Sequence, residues 1–408
     1  MPEQAIDVDI IVVGAGLVGT ALISAWLKSN LHPDWKLGWL DAGTLFSATT
    51  NVDALEVSNN KPRRVAAINR HHWQFLAELS ASNLENISSP ISKMQVGESL
   101  GSAEIDFESL EPMAYVCQQE ILQNRLQMHI HSQLKSNVKL SCWSDKKLIN
   151  MQRTAEGWLL KLDSGETIHS RLVIAADGAS SQVRYWAGVD RKSMPWNLNK
   201  DIAQDYAWIT EVIAENPHSH CALQVFLETG VIGLLPLPEN EGKRYSVVWS
   251  SDQPQSEAQL LILLNTHFRT VTGKLSSATQ GFKIPIPQHS INTYTKNQVI
   301  FIGDAAHAVH PLAGQGVNLG LSDVRSLLNH LKLIQSLKLL VNPSWMKRFS
   351  RERKARNLVM MSTISILGSM HRKNNWPHVW LRNQGKRWLQ KKKGVKNFLV
   401  ESLAKGDV

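Results

Sequence analysis

Val8-Asp9-Ile10-Ile11-Val12-Val13-Gly14-Ala15-Gly16-Leu17-Val18-Gly19 is a short apolar run broken by glycines in GxGxxG spacing. The run predicts a buried strand, and Thr20 to Leu27 continues with helical spacing. Asp41 closes the next apolar run, Leu37-Gly38-Trp39-Leu40. A glycine turn between strand and helix, with an acid about 20 residues further on, is a dinucleotide-binding fingerprint. Gly14 turns the chain, Gly16 lets backbone approach a pyrophosphate, and Gly19 lets the helix pack on the strand. Asp41 is placed to hold a ribose, and a carboxylate there argues against a ribose bearing a 2′-phosphate.

A second glycine-rich turn lies far downstream. Val299-Ile300-Phe301-Ile302 predicts a strand, and Gly303-Asp304-Ala305-Ala306-His307-Ala308-Val309-His310-Pro311-Leu312-Ala313-Gly314-Gln315-Gly316-Val317-Asn318 leads into helical spacing through Ile334. Such density of glycine and proline suits close approach of backbone to a flat ligand. The helix beginning near Gly316 would point free N–H groups at that ligand. Asp304 is placed to accept hydrogen bonds from polyol hydroxyls. His307 reads as a hydrogen-bonding residue of the turn, with an acid–base role kept open.

Between these turns, Trp158 to Leu162 and Thr167 to Ile174 flank Asp163-Ser164-Gly165-Glu166 as a hairpin. The second arm ends in Ala175-Ala176-Asp177-Gly178, a third acid–glycine site. Arg63 and Arg64 precede an apolar run, Val65 to Ile68, read as a helix start; they suit a phosphate, a cofactor edge or plain solvent. Tyr115 to Leu126 reads as a helix with Gln118 and Gln119 near its start. From Ser193 to Gln288 short strand-like runs at Tyr206, Cys221, Val231 and Tyr245 alternate with turns, which predicts an antiparallel sheet laid over the nucleotide-binding part.

The 408 residues suffice for more than one packed region, and 43% hydrophobic with 19% charged residues is globular. No apolar run reaches the roughly 20 residues of a membrane span. The N-terminus lacks a secretory pattern, so a cytoplasmic location is expected. Cys117, Cys142 and Cys221 are widely spaced and read as free thiols; no metal cluster is expected. Much of the net charge of +9 lies in the tail, where His371 to Lys396 contains nine Lys or Arg and no acid. Trp376, Trp380 and Trp388 recur among those cations, the composition of a helix at a lipid interface or on a partner protein.

The three glycine sites together resemble the class A flavoprotein aromatic hydroxylases, above all the ubiquinone-biosynthesis hydroxylases. The likeness spans nearly the whole chain and is most specific in the wording Gly-Asp-Ala-Ala-His, Pro-Leu-Ala-Gly-Gln-Gly, Val-Asn-Leu-Gly. It implies an α/β fold: a Rossmann-like FAD-binding domain (residues 1–75, 105–192 and 290–350), an inserted antiparallel-sheet substrate domain (76–104 and 193–289), and a helical basic tail (351–408). By this resemblance FAD would be held at Gly14, Gly16, Gly19, Asp41, Arg64, Gln118, Asp177, Gly303, Asp304, Pro311, Gly314, Gly316, Val317 and Asn318. NAD(P)H would supply electrons. The family's chemistry passes an oxygen atom from a flavin hydroperoxide to a phenol, which here implies a polyprenylated phenol or quinol, dioxygen, and peripheral contact with the inner face of the cytoplasmic membrane or a ubiquinone-pathway complex. Gln118-Gln119 stands where the family often has Glu-Asn, and Ala203 where it usually has tyrosine. Two alternatives remain at this stage: an FAD-dependent reductase or dehydrogenase acting on an isoprenoid or other apolar substrate, and a nucleic-acid or scaffold protein, for which no nucleic-acid module is present.

Overall fold

The computed structural model describes residues 5–46, 64–80, 82–98, 101–134, 139–192, 206–227, 230–238, 240–251, 256–286, 289–309 and 315–372. Along the chain it begins with β1 (Ile6–Val13), α1 (Leu17–Lys28), β2 (Leu37–Leu40), β3 (Val65–Asn69) and α2 (Arg70–Ser80). Then come β4 (Ser88–Ile91), β5 (Lys93–Glu98), β6 (Gly101–Glu108), β7 (Ala114–Gln118) and α3 (Gln119–Gln133). The middle holds β8 (Leu140–Trp143), β9 (Leu148–Arg153), β10 (Trp158–Leu162), β11 (Thr167–Ala175), α4 (Gln182–Trp186) and β12 (Arg191–Lys192). It continues with β13 (Tyr206–Ala214), β14 (Cys221–Leu227), β15 (Gly230–Pro236), β16 (Arg244–Ser251), α5 (Glu257–Thr272), β17 (Leu275–Ser277) and β18 (Phe282–Pro285). Last are β19 (His289–Ile291), β20 (Thr295–Lys296), β21 (Val299–Phe301), β22 (His307–Ala308), α6 (Gln315–Lys332), α7 (Leu337–Leu340) and α8 (Pro343–Arg372).

The first sheet has the order β20-β21-β11-β1-β2-β8. Its central neighbours β21, β11, β1, β2 and β8 run parallel. Both faces of such a sheet must be covered, which explains why β1 and β11 end in unbroken apolar runs, Ile10 to Val13 and Leu172 to Ala175. Ile10, Ile11, Ile174, Ile300 and Phe301 are buried in a core that includes α1 and α6. The β10–β11 hairpin forms as the sequence predicts, in antiparallel register around residues 163–166.

The second large sheet has the order β17-β13-β16-β15-β14-β5-β6, with β18 added beside β13. It is antiparallel except between β14 and β5. One face packs Val212, Leu223, Ile232, Tyr245 and Val247 against Leu260, Leu264 and Phe268 of α5. The other face turns Ala222 and Leu235 toward Val65, Ala67 and Val116 of β3 and β7. Since β6 ends at Glu108, it continues past residue 104, where the resemblance places the domain edge.

Two local readings change. Val65 to Asn69 is a strand rather than a helix start, and Tyr115 to Gln118 is a strand, so α3 begins at Gln119. The two runs pair with each other in antiparallel register, from Val65 opposite Gln118 to Asn69 opposite Ala114. A short apolar run has no period long enough to separate helix from strand, and the partner decides. Helix α5 lies inside the segment read as strands alone. Its signal was present: Ser256 and Gln259 form a reciprocal capping box ahead of Leu260, Leu264 and Phe268.

Candidate functional site

At the end of β1, Gly14 has φ +111°, and a Cβ there would lie 2.3 Å from the carbonyl oxygen of Ala176. Only glycine fits. A Cβ on Gly19 would lie 2.1 Å from the Gly14 carbonyl oxygen, so α1 sits directly on the turn. Gly16 differs: it is exposed, and a Cβ there would meet nothing within 4 Å. It caps α1 without a side-chain hydrogen bond, and the first turn of α1 carries no acid. The helix therefore offers free N–H groups and the positive end of its dipole to an anion. Asp41 leaves the adjacent strand β2, its Oδ2 accepting from the Ala15 N–H at 2.5 Å and its Oδ1 from the Gly43 N–H at 2.7 Å. These bonds aim the carboxylate over the glycine turn.

On the other side of β1, Asp177 follows β11. Its Oδ2 accepts from the N–H groups of Gln182 and Val183 at 2.8 and 3.1 Å, while Oδ1 is buried with no partner. Burial pushes this carboxyl above the usual range, although hydrogen bonds from Ser181 and the backbone pull it partly back. Asp304 follows β21, the next strand out. Gly303 before it has φ +58°, and a Cβ there would press on Val18 of α1 at 3.2 Å. Gly320, one turn into α6, is pressed against the same valine, with 2.5 Å left for a Cβ. The two glycine-rich turns are thus packed on each other through α1, at the carboxyl ends of parallel strands β1 and β21, which flank β11, where open α/β sheets bind ligands.

Arg64 and Gln118 come in from the small sheet of β3, β7 and β4. Arg64 is exposed and its carbonyl accepts from the Gln119 N–H at 2.9 Å. Burial raises the Asp304 carboxyl, and His307 and, after it, the Arg64 guanidinium draw it partly down. Desolvation is the larger effect and leaves Asp304 net raised; the residue is nevertheless open at its surface, so the penalty is softened by solvent.

Residues 83–362 match the family model described as FAD binding domain. The chain belongs to that family. Among curated relatives, the mitochondrial ubiquinone biosynthesis monooxygenase COQ6 of Xenopus tropicalis is 28% identical, covering 92% of this chain and 89% of its own. The 3-demethoxyubiquinol 3-hydroxylase of Escherichia coli strain K12 is also 28% identical, with 92% and 93% covered. The ubiquinone hydroxylase UbiL of Rhodospirillum rubrum is 27% identical over 88% of this chain and 80% of its own. The crystal structure of p-nitrophenol 4-monooxygenase PnpA from Pseudomonas putida DLL-E4 superimposes with a TM-score of 0.73 over 98% of both chains at 17% identity, which supports the class A monooxygenase fold.

The residues present fit FAD. The open backbone at Gly16 suits a pyrophosphate, Asp41 a ribose, and the orphaned Oδ1 of Asp177 offers an acceptor that no protein donor uses. Gly316 and Val317 lie in the first turn of α6, which carries no acid, and a Cβ on Gly316 would meet only Val309 at 3.9 Å. Asn318 is different in its side chain: its Oδ1 accepts from the Asn69 N–H at 3.0 Å and its Nδ2 donates to the Ala67 carbonyl at 2.9 Å. The amide grips β3 as a neighbouring strand would. Pro311 and Gly314 lie outside the described residues, as do His310 and Ala203. Gln118 is buried at the N-cap of α3.

His307 is fully buried with Nε2 2.6 Å from Oδ2 of Asp323, a hydrogen bond within the protein, while its Nδ1 is buried without a protein partner. Sequence reasoning gave no role to Asp323 or to Arg184. Arg184 is buried and donates to the carbonyls of Ala305 at 2.6 Å and Ala179 at 2.7 Å, joining the Asp177 loop to the Asp304 turn. Its place seven residues after Asp177 was the available signal; a buried guanidinium held by carbonyls has no local sequence pattern.

Proposed function

We propose that this chain is an FAD-dependent monooxygenase that hydroxylates the aromatic ring of a polyprenylated phenol or quinol in ubiquinone biosynthesis. The observation that carries the reading is the meeting of Gly16, Asp41, Asp177 and Asp304 at the carboxyl edge of one parallel sheet, beside an apolar sheet face. The names of the relatives supply the substrate class. Bound FAD, once reduced, would supply the electrons that let dioxygen give one oxygen atom to an electron-rich ring.

The chain's own residues hold and shield. Gly14, Gly16, Gly19 and Asp41 would hold the adenosine diphosphate half, Asp304 the ribityl chain, and Arg64 and Gln118 an edge of the ring system. Backbone N–H groups of Gly316 and Val317, in the first turn of α6, would stabilise negative charge on that ring without a charged side chain. Asp177 would face both FAD and the nicotinamide of NAD(P)H. The apolar face of β14 and β15 would exclude water from the reacting ring. In this reading residues 1–75, 109–192 and 290–350 form the FAD-binding domain, with residues 76–108 and 193–289 over it, since β6 carries the second sheet to Glu108. No helix among the described residues is long and apolar enough to cross a membrane. Peripheral contact through the basic tail, or a complex of pathway enzymes, would bring the prenylated substrate.

The test is turnover of a polyprenylated phenol by the full chain loaded with FAD, with NADH or NADPH under ¹⁸O₂. A product carrying one ¹⁸O per turnover is expected. Oxidised product without ¹⁸O would favour a dehydrogenase and overturn the monooxygenase.

A further inference from the structure

Behind the Gly303 turn lies a buried polar cluster to which the proposed chemistry assigns no part. Asp323, in the middle of α6, is wholly buried. Its Oδ2 accepts from the backbone N–H of Gly303 at 2.9 Å and from Nε2 of His307 at 2.6 Å. Its Oδ1 accepts from Nε of Arg353 at 2.7 Å and from Nδ2 of Asn357 at 3.4 Å. Arg353 in turn donates to Oδ1 of Asn357 at 2.8 Å, and Asn357 to the hydroxyl of Tyr294 at 2.9 Å. One carboxylate therefore joins the turn, strand β22 and helix α8. Burial alone would raise the Asp323 carboxyl, but His307, Arg353 and the Gly303 N–H hold it below the usual range, so it stays an acceptor.

Packing does not require such a cluster. A buried ion pair is often replaceable by apolar residues without loss of stability, because desolvation offsets the attraction. What apolar residues cannot do is aim a particular N–H. Gly303 is in the left-handed region and wedged against Val18, and its N–H belongs to the peptide plane between Ile302 and Gly303, one residue ahead of Asp304. Holding that plane, with Gly303 kept in its left-handed conformation, restrains the backbone that carries Asp304.

We propose that Asp323 is a positioning residue for the Gly303–Asp304 turn, and that Arg353 and Asn357 make α8 a working part of the cofactor site by holding Asp323 in place. This rests on the reading of that turn as the site of the FAD ribityl chain. The cluster acts through Asp304 and through the turn, and touches no ligand itself.

The full chain is stripped of FAD and titrated with it, following flavin fluorescence, the visible spectrum of the bound flavin, and thermal unfolding of the apo-protein. Asp323→Asn should weaken FAD binding about tenfold or more, the size of one lost charge-assisted hydrogen bond, and shift the bound-flavin spectrum. Arg353→Met should do the same, and Arg353→Lys should recover part of the loss. Glu211→Gln is the control, because it breaks another carboxylate–guanidinium pair, between a buried Glu211 and a part-exposed Arg244, that belongs to the second sheet and not to the Gly303 turn. It should lower the unfolding temperature but leave FAD affinity within about twofold. Parent-like affinity and spectrum in Asp323→Asn, or equal weakening by Glu211→Gln, would overturn the proposal. Should Asp323→Asn not fold, Arg353→Met and Arg353→Lys binding FAD alike would overturn it. If Asp304→Ala binds FAD like the parent, the ribityl reading itself fails; if Asp304→Ala is weakened and Asp323→Asn is not, only the positioning role fails.

Discussion

Asp304 and Asp323 sit on either side of one turn and are driven in opposite directions, Asp304 up by desolvation and Asp323 down by its cationic partners. A carboxyl raised in the folded state adds stability only below its unfolded pKa, and that contribution is lost as pH rises through the raised folded value. Asp304 is thus a cost to the apo-protein at neutral pH, kept small by its open surface. Asp304→Ala should leave the apo-protein at least as stable as the parent at pH 7 to 8 on about the usual scale of surface changes. That advantage should shrink as pH falls through the carboxyl window, as read by urea unfolding across pH. FAD retention should move the other way, weakening by about 1.5–3 kcal/mol through loss of a charged acceptor. A variant destabilised at high pH and unchanged in FAD affinity would contradict both halves. The places of Gly14, Gly16, Gly19, Asp41, Asp177 and Asp304 after the carboxyl ends of strands were legible, because glycine spacing and an acid after an apolar run mark such ends. Asp323, Arg353 and Asn357 were not, since a polar residue within a helical stretch looks like a solvated face until its partner, distant in sequence, folds beside it.

The elements were legible where period or a turn signal was long enough to decide. β1, β11, β21 and α6 needed no partner to be read, whereas β3 and β7 became strands only by pairing with each other. In the second sheet the register puts Gln224, Gly233, Val248 and Ile209 side by side on the face opposite α5. Gly233 has no steric reason to be glycine: a Cβ there would meet only the Val248 carbonyl oxygen, at 4.0 Å. It leaves a notch in the face that the proposed function assigns to the substrate. Gly233→Leu should therefore fold as well as the parent and hold FAD equally. Its KM for a polyprenylated phenol should rise by roughly tenfold, the cost of a misplaced aliphatic group in an apolar pocket. An unchanged KM would mean that this row of the sheet does not line the substrate path.

At the scale of the whole molecule, β5 and β6 join a sheet whose other strands lie beyond residue 205, an arrangement that local pattern could only suggest. The connection from body to tail was even less legible. α8 is anchored at Arg353 and Asn357 in the cluster behind the Gly303 turn and runs to Arg372; the Trp and Lys/Arg-rich residues 373–408 lie outside the described residues. The anchoring residues come well before the basic segment, so the two should separate by truncation. A chain ending before His371 keeps Arg353 and Asn357 and should bind FAD as tightly as the full chain. The full chain should float with anionic vesicles at low salt and be released at high salt, because each Lys or Arg near such a surface contributes about 1 kcal/mol and is screened within a Debye length. The truncated chain should stay with the protein fraction under both conditions. Equal flotation by the two would place the lipid contact elsewhere on the body, and loss of FAD on truncation would extend the cofactor site into the tail.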